Sequence, residues 1–308
     1  MRIERKLVLI TGAGSGIGRA LAIEAARRRA TLVLAGRRAA ALEETRGLLG
    51  RNAVCSVFPG DITLPAVRRR LREHIAGAWG RLDILVNNAG VISAGAFAAA
   101  CDRDIESMMA TNLVAPIALT RELLPLLAMA APARVVNIGS MFGDIGYPLF
   151  TAYSASKFGL RGFSMALRRE LRAFGIGVTY AAPRATRTDA AGAFASLMTA
   201  FNMQLDAPHA VAADVWSAVS RNMDSVYPQG WEHVHVLAQY LFPSLVDRAV
   251  AKQIKDSKVH SLLAEAMSWI ARSEDPLSQT RFENTVECDP RTGHWRQIES
   301  FAPASTSR

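Results

Sequence analysis

The chain has 308 residues, 50% of them hydrophobic, enough to bury one large core or two modest ones. Its long apolar stretch, Leu113 to Ala131, contains Arg121, Glu122, Pro116 and Pro125, so it reads as a buried helix rather than a membrane span. The apolar run after Lys6 is too short for a signal peptide, and three widely separated cysteines (Cys55, Cys101, Cys288) suit a reducing cytoplasm. Neither these cysteines nor the six histidines have metal-ligand spacing, so no metal site is expected.

The net charge of +9 gathers in Arg27–Arg29, Arg68–Arg70 with Arg72, and Arg168, Arg169 and Arg172. Each cluster falls on a predicted helix beside an apolar stripe. Two readings stand: solvated helix faces, or attraction for anionic lipid, an acidic carrier protein or nucleic acid. No nucleic-acid-binding pattern accompanies the charge, and no nucleic acid partner is expected.

Lys6–Ile10 is a short apolar run suited to a strand buried on both faces. It leads into Thr11-Gly-Ala-Gly-Ser-Gly-Ile-Gly18, and a helical pattern runs from Ile17 to Arg29. Strand, glycine-rich turn and helix form the context of a nucleotide-phosphate site. The glycines admit a diphosphate close to the backbone, and the helix start offers free N–H groups. A second strand, Ala30–Ala35, ends in Gly36-Arg37-Arg38. In a dinucleotide fold an acid at this strand end accepts from the ribose 2′-hydroxyl, whereas arginine accommodates a 2′-phosphate. Arg37 and Arg38 therefore favour NADP(H) over NAD(H).

The alternation continues with a strand at Val54–Phe58 followed by Asp61-Ile62, a helix at Leu64–Trp79, and a strand at Leu82–Val86 ending in Asn87-Asn88-Ala89-Gly90. A long helix within Asp102–Ala130, kinked at Pro116, precedes a fifth strand, Arg134–Ile138, that leads to Gly139-Ser140. A helix over 152–174 carries Tyr153 and Lys157, and a sixth strand follows at Gly177–Ala182. Strands alternating with helices imply a parallel sheet with right-handed crossovers, and ligands bind beyond the carboxyl ends of such strands. The glycine turn, Arg37, Asp61, Asn87 and Ser140 all fall at those ends. The fold class expected is α/β: a doubly wound, Rossmann-like parallel sheet with a mostly helical C-terminal extension.

Tyr153 and Lys157 are four residues apart and share one face of their helix. A phenol of pKa ~10 and an ammonium of pKa ~10.4 each exchange protons poorly at neutral pH, but an adjacent cation favours the phenolate. With a serine hydroxyl nearby, such a pair can move a proton on or off a carbonyl or alcohol oxygen.

With these residues placed, the chain resembles the short-chain dehydrogenase/reductase family over residues 5–190. The resemblance rests on Thr11, Gly12, Gly16 and Gly18 of the glycine turn, Asp61, Asn87–Gly90, Asn112, Ser140, and Tyr153 with Lys157. It implies Tyr153 as general acid in reduction or base in oxidation, with Lys157 lowering its pKa. Ser140 would hold the substrate oxygen, and Asn112 would anchor a water that passes protons toward Lys157. The cofactor-binding residues implied are Gly12, Ser15, Gly16, Ile17, Gly18, Arg37, Arg38, Asp61, Ile62, Asn88, Ala89, Gly90, Tyr153, Lys157, Pro183 and Thr188. A homodimer or homotetramer is implied by the same likeness.

One departure stands out: the family's Pro-Gly after the sixth strand is Pro183-Arg184 here. Arg184 either points to solvent or, like Arg187, binds an anionic group of cofactor or substrate. Ala190–Leu205 is small and apolar and resembles a substrate lid, though a plain core-packing helix has the same pattern. The apolar residues Ile92, Phe97, Met141, Phe142, Ile145 and Leu149 point to a lipophilic ketone, a β-keto acyl thioester or a steroid-like alcohol.

A helix over Ala212–Asn222 and a short strand at Ser225–Tyr227 complete a catalytic domain of residues 1–228. The extension, 229–308, opens with an amphipathic aromatic stretch, Trp231–Phe242, and a second helix with Arg248, Lys252, Lys255 and Lys258. It covers the pocket or a subunit interface, or touches a membrane surface. Residues 275–308 read as an irregular tail. The expected activity is hydride transfer between NADP(H) and a carbonyl or secondary alcohol. The alternatives are a weakly active NADP(H)-binding sensor or scaffold and a membrane-surface interaction protein.

Overall fold

The computed structural model describes residues 1–188, 194–228, 230 and 232–255, with short stretches at 259–260, 263–264, 287–288 and 295–296. The tail expected over 275–308 thus falls almost wholly outside the described residues.

The strands are β1 (Leu7–Thr11), β2 (Thr31–Gly36), β3 (Cys55–Pro59), β4 (Ile84–Asn87), β5 (Ala133–Ile138), β6 (Ile176–Ala181) and β7 (Ser225–Val226). They form one sheet in the order β3-β2-β1-β4-β5-β6-β7, every neighbouring pair parallel. The chain reverses direction across the sheet between β1 and β4. That reversal opens a crevice at the carboxyl ends. The strands are continuous apolar runs because helices cover both faces. Leu9, Ile10, Leu32 and Val135 are fully buried, each contributing about 2 kcal/mol of hydrophobic stabilisation.

On one face lie α1 (Gly16–Arg27), α2 (Ala39–Leu48) and a helix at Pro208–Ser220, named α8 below. Trp216 of α8 is fully buried and its indole N–H donates to the Leu21 carbonyl of α1 at 3.0 Å. On the other face lie α3 (Pro65–Trp79), α4 (Asp102–Met109) with α5 (Ala115–Met129), and α6 (Thr151–Leu171). Leu119, Leu123 and Leu127 of α5 share a core cluster with Leu167 and Leu171 of α6.

The run Asp102–Met129 is long and apolar enough to cross a membrane, but its buried leucines place it in the core. Its irregularity lies at a π-helical turn, Ala110–Val114, one step before the kink expected at Pro116. Pro116 has no N–H for the Asn112 carbonyl, and the Ala115 N–H reaches back to Ala110 instead, widening the turn.

A short helix α7 (Ala195–Ala200) sits within the stretch read as a lid, of which 190–193 lie outside the described residues. Beyond the sheet come α9 (Glu232–Leu241) and α10 (Pro243–Lys255). A third apolar cluster joins Phe150, Phe194 and Phe201 to Val259, with Tyr153, Met198 and Ile254 packed against it.

Candidate active site

The glycine turn leaves β1 and enters α1. Gly16 has φ +53°, and its open face lies under the Thr188 side chain, whose methyl would be 2.9 Å from an added Cβ. Gly18 is tighter: a Cβ there would lie 2.2 Å from the Gly12 carbonyl oxygen. The turn therefore closes only with hydrogen at this position, leaving bare backbone at the start of α1. Arg19 fixes the loop from behind, donating to the Gly14 carbonyl at 2.6 Å and pairing with Glu44 of α2 at 2.9 Å.

Residues 87–90 brace this turn from β4. The Thr11 hydroxyl accepts the Asn88 and Ala89 N–H groups, both at 3.0 Å. The Asn88 amide donates to the Thr11 and Gly12 carbonyls at 2.9 and 3.2 Å. Four polar contacts thus tie two neighbouring strand ends, so Asn88 is part of the frame as well as of the lining.

Asn112 sits on the π-turn and is only 1% exposed. Its side chain accepts from the Val91 N–H and donates to the Val91 carbonyl, both at 2.8 Å, and donates to Ser156 Oγ at 3.1 Å. The amide expected to anchor a water is committed to protein groups, joining the β4 exit to α6.

Ser140 follows β5. Its hydroxyl accepts the Phe142 N–H at 3.1 Å and is a hydrogen-bond partner of the Tyr153 hydroxyl. Lys157 lies one turn beyond Tyr153 on α6 and is 5% exposed. Its ammonium donates to the Ile138 carbonyl at 3.0 Å and lies 5.7 Å from the centre of the Tyr153 ring. Burial pushes the Tyr153 phenol up to about 12, against a smaller lowering by the Ser140 hydroxyl. Burial also pushes Lys157 down to about 8. Burial is the larger influence on both groups.

The glycine turn, Asn88, Ser140, Tyr153 and Lys157 line one cavity of about 710 Å³. Its wall contains Gly12, Ser15, Gly16, Ile17, Gly18, Arg37, Arg38, Asp61, Ile62, Asn88, Ala89, Gly90, Ser140, Tyr153, Lys157, Pro183 and Thr188. Of the expected catalytic and cofactor residues, Asn112 alone stands behind the lining; of the expected apolar pocket residues, Ile92 and Phe142 line it and Phe97, Met141, Ile145 and Leu149 do not. Arg37 is exposed, while Arg38 is half-buried with its guanidinium 3.4 Å from Ser15 Oγ. Asp61 accepts from the N–H and the hydroxyl of Thr63 at 2.9 and 2.8 Å, which orients its carboxylate. A glycine cradle at a helix start, two arginines and an oriented acid along one wall fit a dinucleotide.

The sequence reading missed a layer behind Ser140. The ring of Tyr180 on β6 fills the space beside Gly139 and Gly143, and its hydroxyl donates to the Ser140 carbonyl at 3.2 Å. Asp144, fully buried, is paired with Arg161 at 2.8 Å and accepts from the Tyr227 hydroxyl at 2.9 Å. Only spacing on α6 hinted at Arg161: it repeats the four-residue step from Tyr153 to Lys157. Opposite these residues the cavity is apolar, with Ile92, Phe142, Phe150, Phe194, Met198 and Met203 in its wall.

Residues 6–197 match the short chain dehydrogenase family. The chain is 31% identical over 275 residues to the bovine (Bos taurus) dehydrogenase/reductase SDR family member 7B, covering 83% of each. It is 33% identical over 189 residues to the 3-oxoacyl-(acyl-carrier-protein) reductase FabG of Escherichia coli, covering 61% of this chain and 77% of that one. Over 222 residues it is 34% identical to the sepiapterin reductase of Chlorobaculum tepidum, covering 70% of this chain and 90% of that one. A short chain dehydrogenase/reductase from Burkholderia phymatum in complex with NAD shares the fold, with a TM-score of 0.73 at 24% identity over 80% of this chain and 96% of that one. A short-chain dehydrogenase from Streptomyces avermitilis superposes with a TM-score of 0.69 at 27% identity, over 82% and 98%. The chain belongs to the short-chain dehydrogenase/reductase family and is a nicotinamide-dependent oxidoreductase acting on CH–OH or C=O groups.

Proposed function

We propose that the protein reduces the carbonyl of a lipophilic substrate with NADP(H), or oxidises the corresponding secondary alcohol. The carrying observation is that Ser140, Tyr153 and Lys157 share one cavity with the glycine turn, and that Ile92, Phe142, Phe150, Phe194, Met198 and Met203 give that cavity an apolar part. Gly12 and Ser15–Gly18 would hold the diphosphate, Asp61 and Ile62 the adenine, and Asn88–Gly90 the adenosine side. Tyr153 and Lys157 would hold the nicotinamide ribose, and Pro183 and Thr188 the carboxamide. The nicotinamide, when bound, supplies or accepts the hydride.

The protein's part is the proton. A phenol raised to about 12 is fully protonated at neutral pH, so Tyr153 is charged with the proton that a developing alkoxide needs. The Ser140 hydroxyl offers that oxygen a second hydrogen bond from a fixed position. Lys157, at about 8, keeps its proton at neutral pH and stabilises the phenolate left behind. Asn112 acts as a strut that fixes α6 against the β4 exit.

NADP(H) is favoured because Arg37 and Arg38 flank the cavity at the end of β2, where the NAD-type acid is absent. The decisive experiment is a titration of NADPH and NADH by intrinsic fluorescence, on the wild type and on Arg37→Asp with Arg38→Ala. NADPH should bind at least about tenfold tighter, a difference of about 1.4 kcal/mol, and the substitutions should erase it. Tighter NADH binding by the wild type would sink the NADP(H) assignment. Failure of both to bind would overturn the enzyme reading and a dinucleotide-binding sensor with it.

The substrate classes that fit the apolar wall are a β-keto acyl group, a ketone and a steroid-like alcohol. The names of two relatives, a 3-oxoacyl reductase and a sepiapterin reductase, favour the reductive direction. A cytoplasmic location is proposed with it. Exposed Val114, Ile117 and Phe158 on the outer helices support a homodimer or homotetramer. A peripheral membrane contact is a second reading, favoured by exposed Leu237, Tyr240, Leu241, Phe242 and Leu245 beside Arg248, Lys252 and Lys255. Co-sedimentation with anionic liposomes, lost in Leu241→Glu with Phe242→Glu, tests that contact.

A further inference from the structure

Two side-chain bridges connect the helices beyond the sheet to the loop that follows Ser140. In the first, Gln253 of α10 accepts from the Tyr147 hydroxyl at 2.5 Å and donates through its Nε2 to the Phe201 carbonyl at 2.7 Å. In the second, Arg161 is paired with buried Asp144 while its guanidinium lies 5.0 Å from the Tyr240 ring centre on α9. Both bridges end within four residues of one another on that loop.

The first bridge reaches the cavity through aromatic contacts. The Tyr147 ring stacks on Phe142 at 5.2 Å and meets Phe201 edge-on at 4.9 Å. Phe142 lines the cavity and meets the Tyr153 ring edge-on at 6.3 Å. Movement of Tyr147 therefore moves the wall beside the proton donor. Gln253 is suited to hold it, because a neutral amide offers one acceptor and one donor to two segments at once.

We propose that Gln253 is a specificity-determining residue. Its amide latches the segment around Phe201 and the Ser140 loop to α10, giving the apolar end of the cavity a fixed wall. A lipophilic group long enough to reach that wall gains from its rigidity, and a short one does not. This deepens the carbonyl-reductase reading and rests on it for the kind of substrate. Gln253 and Tyr147 do not touch the reacting atoms; they act through Phe142 and Phe201.

The test uses the full chain and the variants Gln253→Leu, which keeps volume and loses both bonds, and Tyr147→Phe, which loses one. Steady-state constants are measured for a short and a long straight-chain ketone with NADPH. The KM for the long ketone should rise about fivefold to tenfold in each variant, the scale of one lost hydrogen bond, with kcat and the short-ketone KM unchanged. The double variant should be no worse than the weaker single variant. Equal losses on both ketones, or an unchanged long-ketone KM, would overturn the proposal. Hydrogen exchange without substrate gives an independent readout: residues 141–150 and 197–203 should exchange faster in both variants. Unchanged protection there would also overturn the latch. Failure of the wild type to reduce either ketone would count against carbonyl reduction alone, and the exchange result would then decide the latch.

Discussion

Arg184 is ion-paired with Asp206 at 2.9 Å, and both side chains are about one-fifth exposed, at 23% and 21%. The pair caps a short backbone zipper in which the Arg187 N–H donates to the Asp206 carbonyl at 2.9 Å and the Asp206 N–H donates to the Ala185 carbonyl at 2.8 Å. The sequence reading did not anticipate this ion pair, which holds Arg184 in the wall of the cavity. Arg184→Gly should lower stability by about 1 kcal/mol, Asp206→Ala by a similar amount, and the double variant by less than the sum. Urea unfolding of the four proteins checks it. Full additivity would mean that the two side chains act separately.

Gly18 faces the Gly12 carbonyl so closely that any side chain must push the turn open. Gly18→Ala should cost about 1 to 3 kcal/mol of stability and weaken cofactor binding more than it weakens the fold. Thermal melts with and without NADPH make the comparison. A variant that keeps the full ligand-induced rise in Tm would show that the turn tolerates opening.

Tyr153→Phe removes the proton donor and leaves the ring that packs against Phe142. Turnover should fall by about 10²- to 10⁴-fold, while the Kd for the cofactor stays within about twofold of wild type. Stopped-flow reduction and fluorescence titration read the two quantities separately. Retained turnover would move the acid role elsewhere.

Lys157 ties activity and stability to pH with opposite signs. Its folded-state pKa, lowered to about 8 by burial, means the proton is lost as pH rises through that value. Reduction should therefore be level near neutrality and decline above about pH 8. For stability, the unfolded chain holds this proton up to ~10.4 and the folded chain does not, so unfolding free energy rises between the two values. Lys157→Met should raise Tm near pH ~7, flatten that alkaline gain and abolish turnover. Melts and initial rates over the same pH series test both. A lower Tm in the variant would show that the bond to the Ile138 carbonyl outweighs the burial of the amine.

Much of the sheet and most of the lining were legible in the chain because their signals are local. β1, the glycine turn and α1 follow one another without interruption, and each uses residue types that few other structures tolerate. Tyr153, Lys157 and the start of α6 depend only on helical spacing. The parallel sheet with right-handed crossovers follows from alternation, whereas the order β3-β2-β1-β4-β5-β6-β7 is seen only in the folded chain, since other doubly wound orders have the same alternation. The irregularity expected as a kink at Pro116 is a π-turn at Ala110–Val114, because a proline announces a missing N–H but not which carbonyl gives way.

What the sequence determined by itself is the fold, the reaction class and the residues at the carboxyl ends of the strands. Short-range sterics and backbone hydrogen bonding dictate the elements, and the reaction class is read from the side chains of Ser140, Tyr153 and Lys157 and the family their pattern resembles. The tertiary structure alone decided the protonation of the site and the shape of its apolar end. Burial raises the Tyr153 phenol to about 12, and that burial exists only once the sheet and helices have packed around the ring. The partners of Arg184, Asp144 and Tyr147 lie 22, 17 and 106 residues away, at Asp206, Arg161 and Gln253. No periodicity links such positions, because burial and contact across that distance arise only when the sheet closes and the later helices fold back over it.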